Sequence, residues 1–431
     1  MIDLELLRRD PETVEANLAR RRRPEYLALF AETRAKDAEW RTCLQEADGL
    51  RRQRNELSRR IGAARATGAV DPALEAEARA IPERLRAVEA REAELLHARD
   101  AAARRLPNLL DDSVPYGKDD SENVVVATWG EPGGPRDDLR PHAEVLEKLG
   151  LAEFDRAHRA SGAGFYYLRG PIVLLDLALQ RMALDLLLDR GFTPIVPPFL
   201  LRREPYEGVT DLADFENVMY KVEDEDLFLI ATSEHPIAAL YQGEILDGDD
   251  LPYRFAGFSY NFRKEIGGHG VDQKGIFRVH QFAKVEQFAF SRPEDSPRLH
   301  EELRANGEEV FRRLRIPYRV VNVCTGDLGT VAAKKYDIEA WFPRQQAYRE
   351  VVSCSNCTDY QARRLGIRMG KAGQPGKTVP HTLNGTAVAT SRAIVAIVEQ
   401  YQEPDGTITV PEVLRPYMRD LTRIEGTPEA K

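Results

Sequence analysis

YRFAGFSYNF, at residues 253–262, and FAKVEQFAF, at residues 282–290, are two segments rich in aromatic side chains that decide the fold of this chain. Such side chains suit the half-buried face of a sheet, so both segments are predicted strands. The residues between them, RKEIGGHGVDQKGIFRVHQ, are rich in glycine and hold no crossover helix that would return the chain for a parallel pair. The two strands are therefore expected to pair antiparallel around a long loop.

The loop between these strands is basic as well as glycine-rich. Its backbone N–H groups and the side chains of Arg263, Lys264, Lys274 and Arg278 are suited to bind the phosphates of a polyanion. A solvated hairpin with a basic face is the alternative that these residues, taken alone, leave open.

Further strands and apolar helices lie on both sides of this hairpin. Additional β-rich segments are Leu227–Ala231, Tyr318–Val323 and Tyr348–Ser353. The apolar segment Ile172–Leu188 is a predicted helix. Because several strands follow one another without a crossover helix, the sequence predicts an α+β domain with an antiparallel sheet.

The N-terminal region follows a heptad pattern. A first series of apolar side chains, spaced by four and three, comprises Cys43, Ala47, Leu50, Leu57, Ile61 and Ala64. A second series, interrupted by Glu92 and Arg99, comprises Leu74, Ala78, Ile81, Leu85, Val88, Leu95, Ala102 and Leu106. Two such series predict an antiparallel coiled-coil arm of two helices.

Helix-ending and helix-starting residues place the turn of this arm. Gly68 is suited to end the first helix, Asp71 to cap the second and Pro72 to open it. Pro82 lies inside the second series, so that helix is expected either to kink there or to begin there.

Composition changes again after the arm. Residues 107–140 are rich in proline, glycine and aspartate, which predicts a linker. The predicted domains are therefore an arm at 1–106, a linker at 107–140 and an α+β domain at 141–431.

Length and composition are those of an ordinary multidomain globular protein. The chain has 431 residues, of which 42% are hydrophobic and 30% charged, and this balance argues against wholesale disorder. No apolar run reaches the roughly 18 residues that a membrane span requires. The first residues, MIDLE, lack the layout of a signal peptide. A cytoplasmic protein that does not enter a membrane is expected.

The four cysteines are too few and too widely separated to stabilise a chain of this length by disulfides, so reduced thiols are expected. Cys354 and Cys357 form a C-x-x-C pair, which leaves half of a zinc knuckle or a redox pair as an alternative. No second pair of cysteines or histidines completes four ligands.

The net charge of −9 is unevenly distributed. Residues 1–105 carry 22 Lys and Arg against 20 Asp and Glu, whereas the rest of the chain carries 39 against 50. Six arginines cluster near the predicted turn of the arm: Arg51, Arg52, Arg54, Arg59, Arg60 and Arg65. They predict a surface that binds nucleic-acid phosphates, with simple solvated heptad flanks as the alternative.

Three motifs together resemble those of the class II aminoacyl-tRNA synthetases. NFRKE at 261–265, followed by FRVHQFAKVE at 277–286, is similar to motif 2 of that family. LNGTAVATSR at 383–392, which enters an apolar helix at 393–402, is similar to motif 3. DRGFTPIVPP at 189–198 resembles motif 1, which forms the dimer in that family. All three occur in the family's order.

Within class II, three segments resemble the seryl-tRNA synthetases. They are ATSE at 231–234, HQF at 280–282 and EVVSCSNCTDYQARR at 350–364. The resemblance includes the helical arm and so covers essentially the whole chain. It implies a homodimeric serine–tRNA ligase that activates L-serine with ATP and loads the tRNA that has a long variable arm. It also places Cys354 and Cys357 on an active-site strand.

The resemblance implies roles for residues around ATP. Arg263, Glu265 and Arg392 are the implied catalytic residues, and Phe282 is expected to stack on adenine. The full set implied to bind ATP is Arg263, Lys264, Glu265, Val279, Phe282, Glu350, Val351, Val352, Ser353 and Arg392. Glu350 and Ser353 match the family's Mg²⁺ ligands, and hard oxygen atoms suit that ion.

The resemblance also implies a serine pocket and a tRNA surface. The serine residues are Thr232, Ser233, Glu234, Arg263, Glu286, Asn384 and Thr386, and the arginines of the arm are implied to bind the tRNA. Two alternatives stay open at this point. One is a paralogue that activates serine for a carrier, a biosynthetic pathway or inhibitor resistance, and the other is a non-catalytic tRNA-binding homologue.

Overall fold

The structure is a computed structural model that describes residues 1–66, 68, 72–134, 136, 138–210, 216–265, 275–371 and 373–426. The predicted cap Asp71 and the loop cation Lys274 lie outside these residues. The chain divides into two compact units, Met1–Leu109 and Leu110–Lys431.

The first unit is helical. Its helices are α1 (Leu4–Arg9), α2 (Pro11–Ala19), α3 (Pro24–Ala66) and α4 (Pro72–Arg105). Hydrogen bonds between α3 and α4 join Cys43 to Val88, Gln53 to Glu77 and Arg65 to Glu75, so the residue number on α4 falls as the number on α3 rises. The two long helices are therefore antiparallel, which confirms the predicted coiled coil.

The predicted seam is buried where the two helices meet. Cys43, Ala47, Leu50 and Leu57 are buried on α3, and Ile81 and Leu85 are buried on α4. Arg99, which interrupts the heptad series, is also buried. Its guanidinium carbon lies 4.3 Å from the centre of the Trp40 ring. A guanidinium nitrogen of Arg99 lies 3.8 Å from a carboxylate oxygen of Asp37. The interruption is thus a buried charge with an aromatic and an acidic neighbour.

The second long helix was expected either to kink at Pro82 or to begin there. α4 begins at Pro72, as predicted, and it continues through Pro82, so a helix that starts only at Pro82 is wrong. Gly68 has φ of 72°, the left-handed conformation that glycine adopts most readily after the end of a helix.

The second unit is built on an eight-stranded sheet with short accessory strands. Its strands are β1 (Val124–Trp129), β2 (Ala152–Glu153), β3 (Tyr167–Leu168), β4 (Thr193–Ile195), β5 (Leu200–Leu201), β6 (Phe228–Leu229), β7 (Ile245–Leu246), β8 (Tyr253–Phe262), β9 (Gln281–Ser291), β10 (Tyr318–Asn322), β11 (Lys334–Phe342), β12 (Ala347–Thr358), β13 (Arg368–Met369), β14 (His381–Ala389), β15 (Ile408–Thr409) and β16 (Arg423–Ile424).

Helices cover this sheet and connect its strands. They are α5 (His142–Lys148), α6 (Phe154–Ser161), α7 (Pro171–Leu188), α8 (Arg203–Val209), α9 (Glu234–Ala238), α10 (Ser296–Arg313), α11 (Tyr360–Arg364) and α12 (Thr390–Gln400). Short 3₁₀ turns lie at Asp120–Glu122, Glu216–Val218, Ala239–Tyr241, Gly248–Asp250 and Glu412–Met418.

The large sheet has the strand order β1-β10-β11-β12-β14-β9-β8-β4. Neighbouring strands are antiparallel except for β4, which lies parallel to β8. Tyr253–Phe262 is a strand with the predicted bounds, and it pairs with β9 from Tyr253 opposite Phe290 to Phe262 opposite Gln281. The predicted antiparallel α+β fold is confirmed. β11 was not predicted, although it occupies the middle of the sheet.

The predicted linker needs a correction. Val124–Trp129 pairs with β10 and forms one edge of the large sheet, so part of 107–140 belongs to the folded second unit. The glycines and prolines around β1 masked a strand of six residues in the sequence.

The largest hydrophobic core among the described residues lies between the sheet and its helices. The side chains of α7 and α12 pack against it, as do those of α10. In the described part of the chain, no helix is long and apolar enough to cross a membrane. All four cysteines are buried, and none of them forms a disulfide.

Candidate active site

A cavity of about 520 Å³ lies in the second unit, and strands β9, β11, β12 and β14 contribute to its lining. Thirteen of the predicted site residues line it: Thr232, Glu234, Arg263, Glu265, Val279, Phe282, Glu286, Glu350, Val351, Ser353, Asn384, Thr386 and Arg392. Segments that lie up to 160 positions apart in sequence thus supply one pocket, because the sheet places β9 beside β14 and β14 beside β12.

Three predicted residues do not line this cavity. Ser233 is buried, and its hydroxyl donates to the carbonyl oxygen of Gly257 at 3.3 Å. Val352 lies in the hydrophobic core because alternate residues of β12 face opposite sides of the sheet, with Val351 and Ser353 on the cavity side. Lys264 lies with its ammonium 5.7 Å from the ring of Tyr220.

One side of the cavity is a buried network of polar side chains. Thr386 of β14 stands opposite Glu286 of β9 in the sheet, and its hydroxyl donates to the Glu286 carboxylate at 3.1 Å. Lys284 Nζ lies 2.5 Å from the same carboxylate and donates to the hydroxyl of Thr232 at 2.7 Å. We call Thr232, Glu234, Lys284, Glu286 and Thr386 the polar floor.

Lys284 is the functional candidate that the sequence prediction missed. Its side chain is only 7% exposed, and a buried ammonium is costly unless it is paired. It lies two residues before Glu286, on the same face of β9. That spacing, with a lysine and a glutamate as the two charged residues of the strand, is a signal that could have identified it.

Glu234, at the start of α9, completes the polar floor. It is open to the cavity, but protein surrounds it elsewhere, so water solvates its carboxylate poorly. Burial, and then the nearby charge of Glu286, raise the pKa of Glu234 to about 7. Neighbouring Lys284 and Arg263 act in the opposite direction. This group is therefore placed to change its charge near neutral pH.

A second group of cavity residues carries cations and aromatic rings. The guanidinium carbon of Arg263 lies 5.3 Å from the ring centre of Phe282, and Arg392 lies equally far from Phe277. Arg392 also donates to the carbonyl oxygen of Glu350 at 2.8 Å and lies 3.5 Å from its carboxylate. We call Arg263, Phe277, Phe282, Glu350 and Arg392 the cationic wall.

The charges of this wall act on one another. Burial, and then the charge of Arg392, lower the pKa of Arg263. The Glu350 side chain is 45% exposed, but it is open only toward the cavity, and the surrounding protein would by itself raise its pKa. The charges of Arg392 and Lys335 outweigh this effect and lower the pKa of Glu350. Glu350 is therefore an anion held among cations, and the wall as a whole is suited to bind a polyanion.

Glu265 and Arg278 lie where the chain enters and leaves the loop of the hairpin. The guanidinium of Arg278 is 3.7 Å from the carboxylate of Glu265, and both line the cavity. Glu265 has φ of 45°, which is uncommon for a residue with a side chain and recurs at functional sites.

The predicted metal ligands fit a hard cation that arrives with phosphate. The oxygens of Glu350 and Ser353 line the same cavity, and they are the donor type that Mg²⁺ prefers. Lys335 lies nearby, with Nζ 3.0 Å from Asp337. Two protein oxygens among several cations would bind a metal weakly alone. A triphosphate would complete the ligand set, as in many Mg²⁺ sites.

A zinc or redox role for the C-x-x-C pair gains no support. Across residues 1–426 outside the undescribed gaps, no group of three His, Cys, Asp or Glu side chains is arranged to hold a metal. Cys357 lines the cavity, and its sulfur accepts from the amide of Asn384 at 3.6 Å. Burial raises the pKa of both thiols, which keeps them neutral.

Two family models match most of the chain. Residues 1–110 match the seryl-tRNA synthetase N-terminal domain, and residues 220–401 match the tRNA synthetase class II core domain (G, H, P, S and T). A serine–tRNA ligase from Methanocella arvoryzae is 55% identical over 422 residues, which cover 98% of this chain and 99% of that protein. The chain belongs to the seryl-tRNA synthetases.

Solved structures agree with this assignment. The seryl-tRNA synthetase of Pyrococcus horikoshii complexed with ATP superposes with a TM-score of 0.94 at 49% identity, covering 99% of this chain and all of that one. The cytoplasmic serine–tRNA ligase of Naegleria fowleri, in complex with AMP, superposes with a TM-score of 0.89 at 33% identity, with 99% of each chain covered. The predicted family, fold and enzyme class, a class II serine–tRNA ligase, are confirmed for this synthetase.

Some residues of this synthetase's pocket were not among the predicted catalytic, ATP-binding or serine-binding residues. Besides Lys284, they are Val209, Thr210, His235, Phe277, Arg278, Gly329, Thr330, Val331, Ala332, Lys335, Ser355, Cys357, Ala389 and Ser391. Arg278 was predicted only as a loop cation. The segment Gly329–Ala332 lies just before the unpredicted β11, which is why the motifs alone gave no indication of it.

Proposed function

We propose that this cavity catalyses both steps of seryl-tRNA synthesis. Serine and ATP form seryl-adenylate and pyrophosphate, and a terminal ribose hydroxyl of the tRNA then takes the seryl group and releases AMP. The observation that carries the proposal is the meeting, in one cavity, of a wall that suits a polyphosphate and a floor that suits a small polar amino acid.

Arg263 and Arg392 are the proposed electrostatic catalysts. When the serine carboxylate attacks the α-phosphorus, negative charge builds on the non-bridging oxygens. Fixed guanidinium groups stabilise this charge more than they stabilise the ground state. Their cation–π contacts with Phe282 and Phe277 hold them in place before the substrate binds. Phe282, which is 9% exposed, is the proposed surface for adenine.

Glu350 and Ser353 are the proposed protein ligands of Mg²⁺, which supplies charge neutralisation for the pyrophosphate leaving group when it is bound. The exposed carboxylate of Glu350 and the hydroxyl of Ser353 carry this part of the proposal. Lys335, held by Asp337, adds a fixed positive charge on the same side of the cavity.

The polar floor is the proposed serine pocket. The carboxylates of Glu234 and Glu286 suit the ammonium and hydroxyl of serine, whereas Thr232, Thr386 and Asn384 limit the pocket's size. A site whose hydrogen-bond partners are committed to a hydroxyl rejects analogues that lack it, because those partners would be left buried and unsatisfied. Lys284 balances the charge of the two carboxylates.

The arm is proposed to bind the tRNA by its backbone. Arg52, Arg54, Arg59, Arg60 and Arg65 are exposed on α3. Arg51 differs from them because it is paired with Asp48, Glu89 and Glu92, so it is the least available of the predicted group. Phosphate contacts of this kind suit a partner recognised by shape, such as a tRNA with a long variable arm.

This role of the arm is tested by replacing Arg52, Arg59 and Arg60 with glutamine. We expect tRNA charging to fall at least tenfold and its salt dependence to weaken, with serine activation unchanged. Arg313→Gln, on the exposed side of α10, is the matched control. Normal charging by the triple variant at physiological salt would exclude the proposed surface.

A homodimer is proposed from the exposed apolar residues around β4. Val196, just after β4, is 69% exposed, and Leu177 of α7 is 50% exposed. β4 is an edge strand of the large sheet. A free edge beside apolar side chains suits a second copy of the same surface. Val196→Lys with Leu177→Lys should give a monomer in sedimentation analysis.

Two assays test the proposed function as a whole. Serine-dependent exchange of pyrophosphate into ATP is expected, followed by charging of purified tRNA for serine. Exchange without charging would indicate the paralogue that serves a carrier or another pathway. Absence of both pyrophosphate exchange and tRNA charging would indicate a non-catalytic homologue. We infer a cytoplasmic location for this activity from the family and from four cysteines that form no disulfide.

A further inference from the structure

We propose that Gln361, which does not line the cavity, is a positioning residue that holds Glu234 for serine and is itself oriented by Thr382. This inference rests on the proposed function and deepens it. No motif of the sequence prediction assigned either residue a role.

The contacts of Gln361 are those of a fixed amide. It is fully buried on α11, and its Nε2 donates to the Glu234 carboxylate at 2.8 Å and to the carbonyl oxygen of Val209 at 3.2 Å. Its Oε1 accepts from the hydroxyl of Thr382 at 2.6 Å. Thr382 is also fully buried, on β14.

These contacts leave the amide a single orientation. A carboxylate and a carbonyl group only accept hydrogen bonds, so the amide nitrogen must face Glu234 and Val209. The amide oxygen therefore faces Thr382, whose hydroxyl has a donor for it. One oxygen of Glu234 is held in this way, which leaves the second oxygen and the charge of the carboxylate for the ligand.

The surroundings of Glu234 show why this donor matters. Burial and Glu286 favour the neutral acid, whereas Gln361, Lys284 and Arg263 favour the anion. Other polar groups in its surroundings are Tyr206 of α8, His235 of α9 and Cys357 of β12. Burial lowers the pKa of His235 to about 3 and raises that of Cys357, so both stay neutral near pH 7.

Gln361 favours the anion of Glu234 as a neutral hydrogen-bond donor, whereas Lys284 and Arg263 favour it by their charge. An ammonium binds the anionic form of Glu234, so a residue that donates to that form strengthens serine binding without contact with serine. Its side chain bonds to Glu234, Val209 and Thr382, and within the described part of the chain none of these belongs to the cationic wall. Loss of Gln361 is therefore expected to affect serine and to spare ATP.

The first test is Gln361→Met, which keeps the length of the side chain and removes both polar atoms. In pyrophosphate exchange at pH 7, we expect KM for serine to rise about tenfold and KM for ATP to change less than about twofold. The pH at which serine binding is half-maximal should move upward by about one unit, because the anion of Glu234 has lost a donor.

Gln287→Met is the matched control. Gln287 is also fully buried; it donates to the carbonyl oxygen of Leu303 at 3.0 Å and accepts from the amide of Asn306 at 2.6 Å. It does not line the cavity. We expect it to lower the melting temperature and to leave KM for serine and its pH midpoint unchanged. Equal effects of the two variants on serine binding would show that Gln361 is merely structural.

The Thr382→Val and Thr382→Ser pair covers the case in which Gln361→Met does not fold. Valine removes the hydroxyl that orients the amide, so KM for serine and the pH midpoint should shift in the same direction by a smaller amount. Serine retains the hydroxyl and should restore both. Wild-type values in folded Thr382→Val would overturn the proposal, whereas absence of serine-dependent exchange in the unaltered protein would overturn the proposed function instead.

Discussion

The polar floor and the cationic wall lie in the same cavity but are built differently. In the floor, Lys284, Glu286, Thr232 and Thr386 bond directly to one another through buried side chains. In the wall, Arg263 and Arg392 rest on the aromatic rings of Phe282 and Phe277. The floor is a closed hydrogen-bond network, whereas the wall is a set of charges beside open space.

The two parts of the cavity are expected to recognise serine and ATP in different ways. A small hydroxyl is recognised by partners that have few alternatives, so any change in the floor is expected to affect discrimination as well as affinity. A polyphosphate is recognised by charge, which tolerates small displacements and acts most strongly in the transition state. Variants of the floor should thus affect KM for serine, and variants of the wall should affect kcat.

Glu286→Ala is expected to have the largest effect. It removes the acceptor of both Lys284 and Thr386 and leaves a buried ammonium without its closest anion. Serine-dependent pyrophosphate exchange should fall by about 10⁴-fold, the range in which a site loses a committed polar partner. Glu286→Gln keeps the size of the side chain and removes its charge. Comparison of the two variants therefore distinguishes the effect of the charge from the effect of packing. Retained exchange in Glu286→Ala would remove this residue from the serine pocket.

Arg392→Ala comes next in size. The kcat of exchange should fall by about 10² to 10³-fold, with KM for serine changed little, because the lost interaction acts mainly on the transition state. Arg313→Ala, an exposed arginine paired with Glu309, is the control for loss of an arginine elsewhere. A rise in KM for serine with normal kcat would contradict the division between floor and wall.

Lys284→Met tests the residue that was found only in the structure. Glu234 and Glu286 then face each other without the charge of Lys284. Because that charge favours the anion of Glu234, the pKa of Glu234 should rise and serine should be held less well. We expect KM for serine to rise by about 30- to 100-fold, the cost of breaking a buried pair, with KM for ATP nearly constant. An unchanged serine KM would show that Lys284 is not part of the floor.

The smallest effect is the dependence of serine binding on pH in the unaltered protein. Because the pKa of Glu234 lies near 7, above its ordinary value, the carboxylate is mostly neutral at pH 6 and mostly anionic at pH 8. The anion binds the ammonium, so KM for serine at saturating ATP should fall by about tenfold from pH 6 to pH 8.

The sign of this change is specific. Burial costs the anion free energy in the folded protein, so ionisation of Glu234 lowers stability as the pH rises from its ordinary pKa toward 7. Bound serine offsets that cost by pairing with the anion. The increase in melting temperature caused by serine should therefore be greater at pH 8 than at pH 6, and the opposite trend would exclude Glu234 as the titrating group.

Prediction from sequence was most successful where structure depends on near neighbours. The seam of α3 and α4 follows from apolar spacing, and Tyr253–Phe262 has strand composition along its whole length. Prediction was least successful where the sheet pairs segments that are far apart in the sequence. β1 pairs with a strand almost 200 residues later, and its own sequence resembles a linker.

Sequence alone predicted the family, the antiparallel sheet, the coiled arm and 13 of the side chains that line the cavity. Motif chemistry and periodicity are properties of local sequence, so they can be recognised before folding. Only the tertiary structure decided that Lys284 lies between Glu286 and Thr232, and that Gln361 and Thr382 stand behind Glu234. Those contacts depend on strand register and on which face of a strand is buried, and a buried polar group acquires its role from partners that fold onto it.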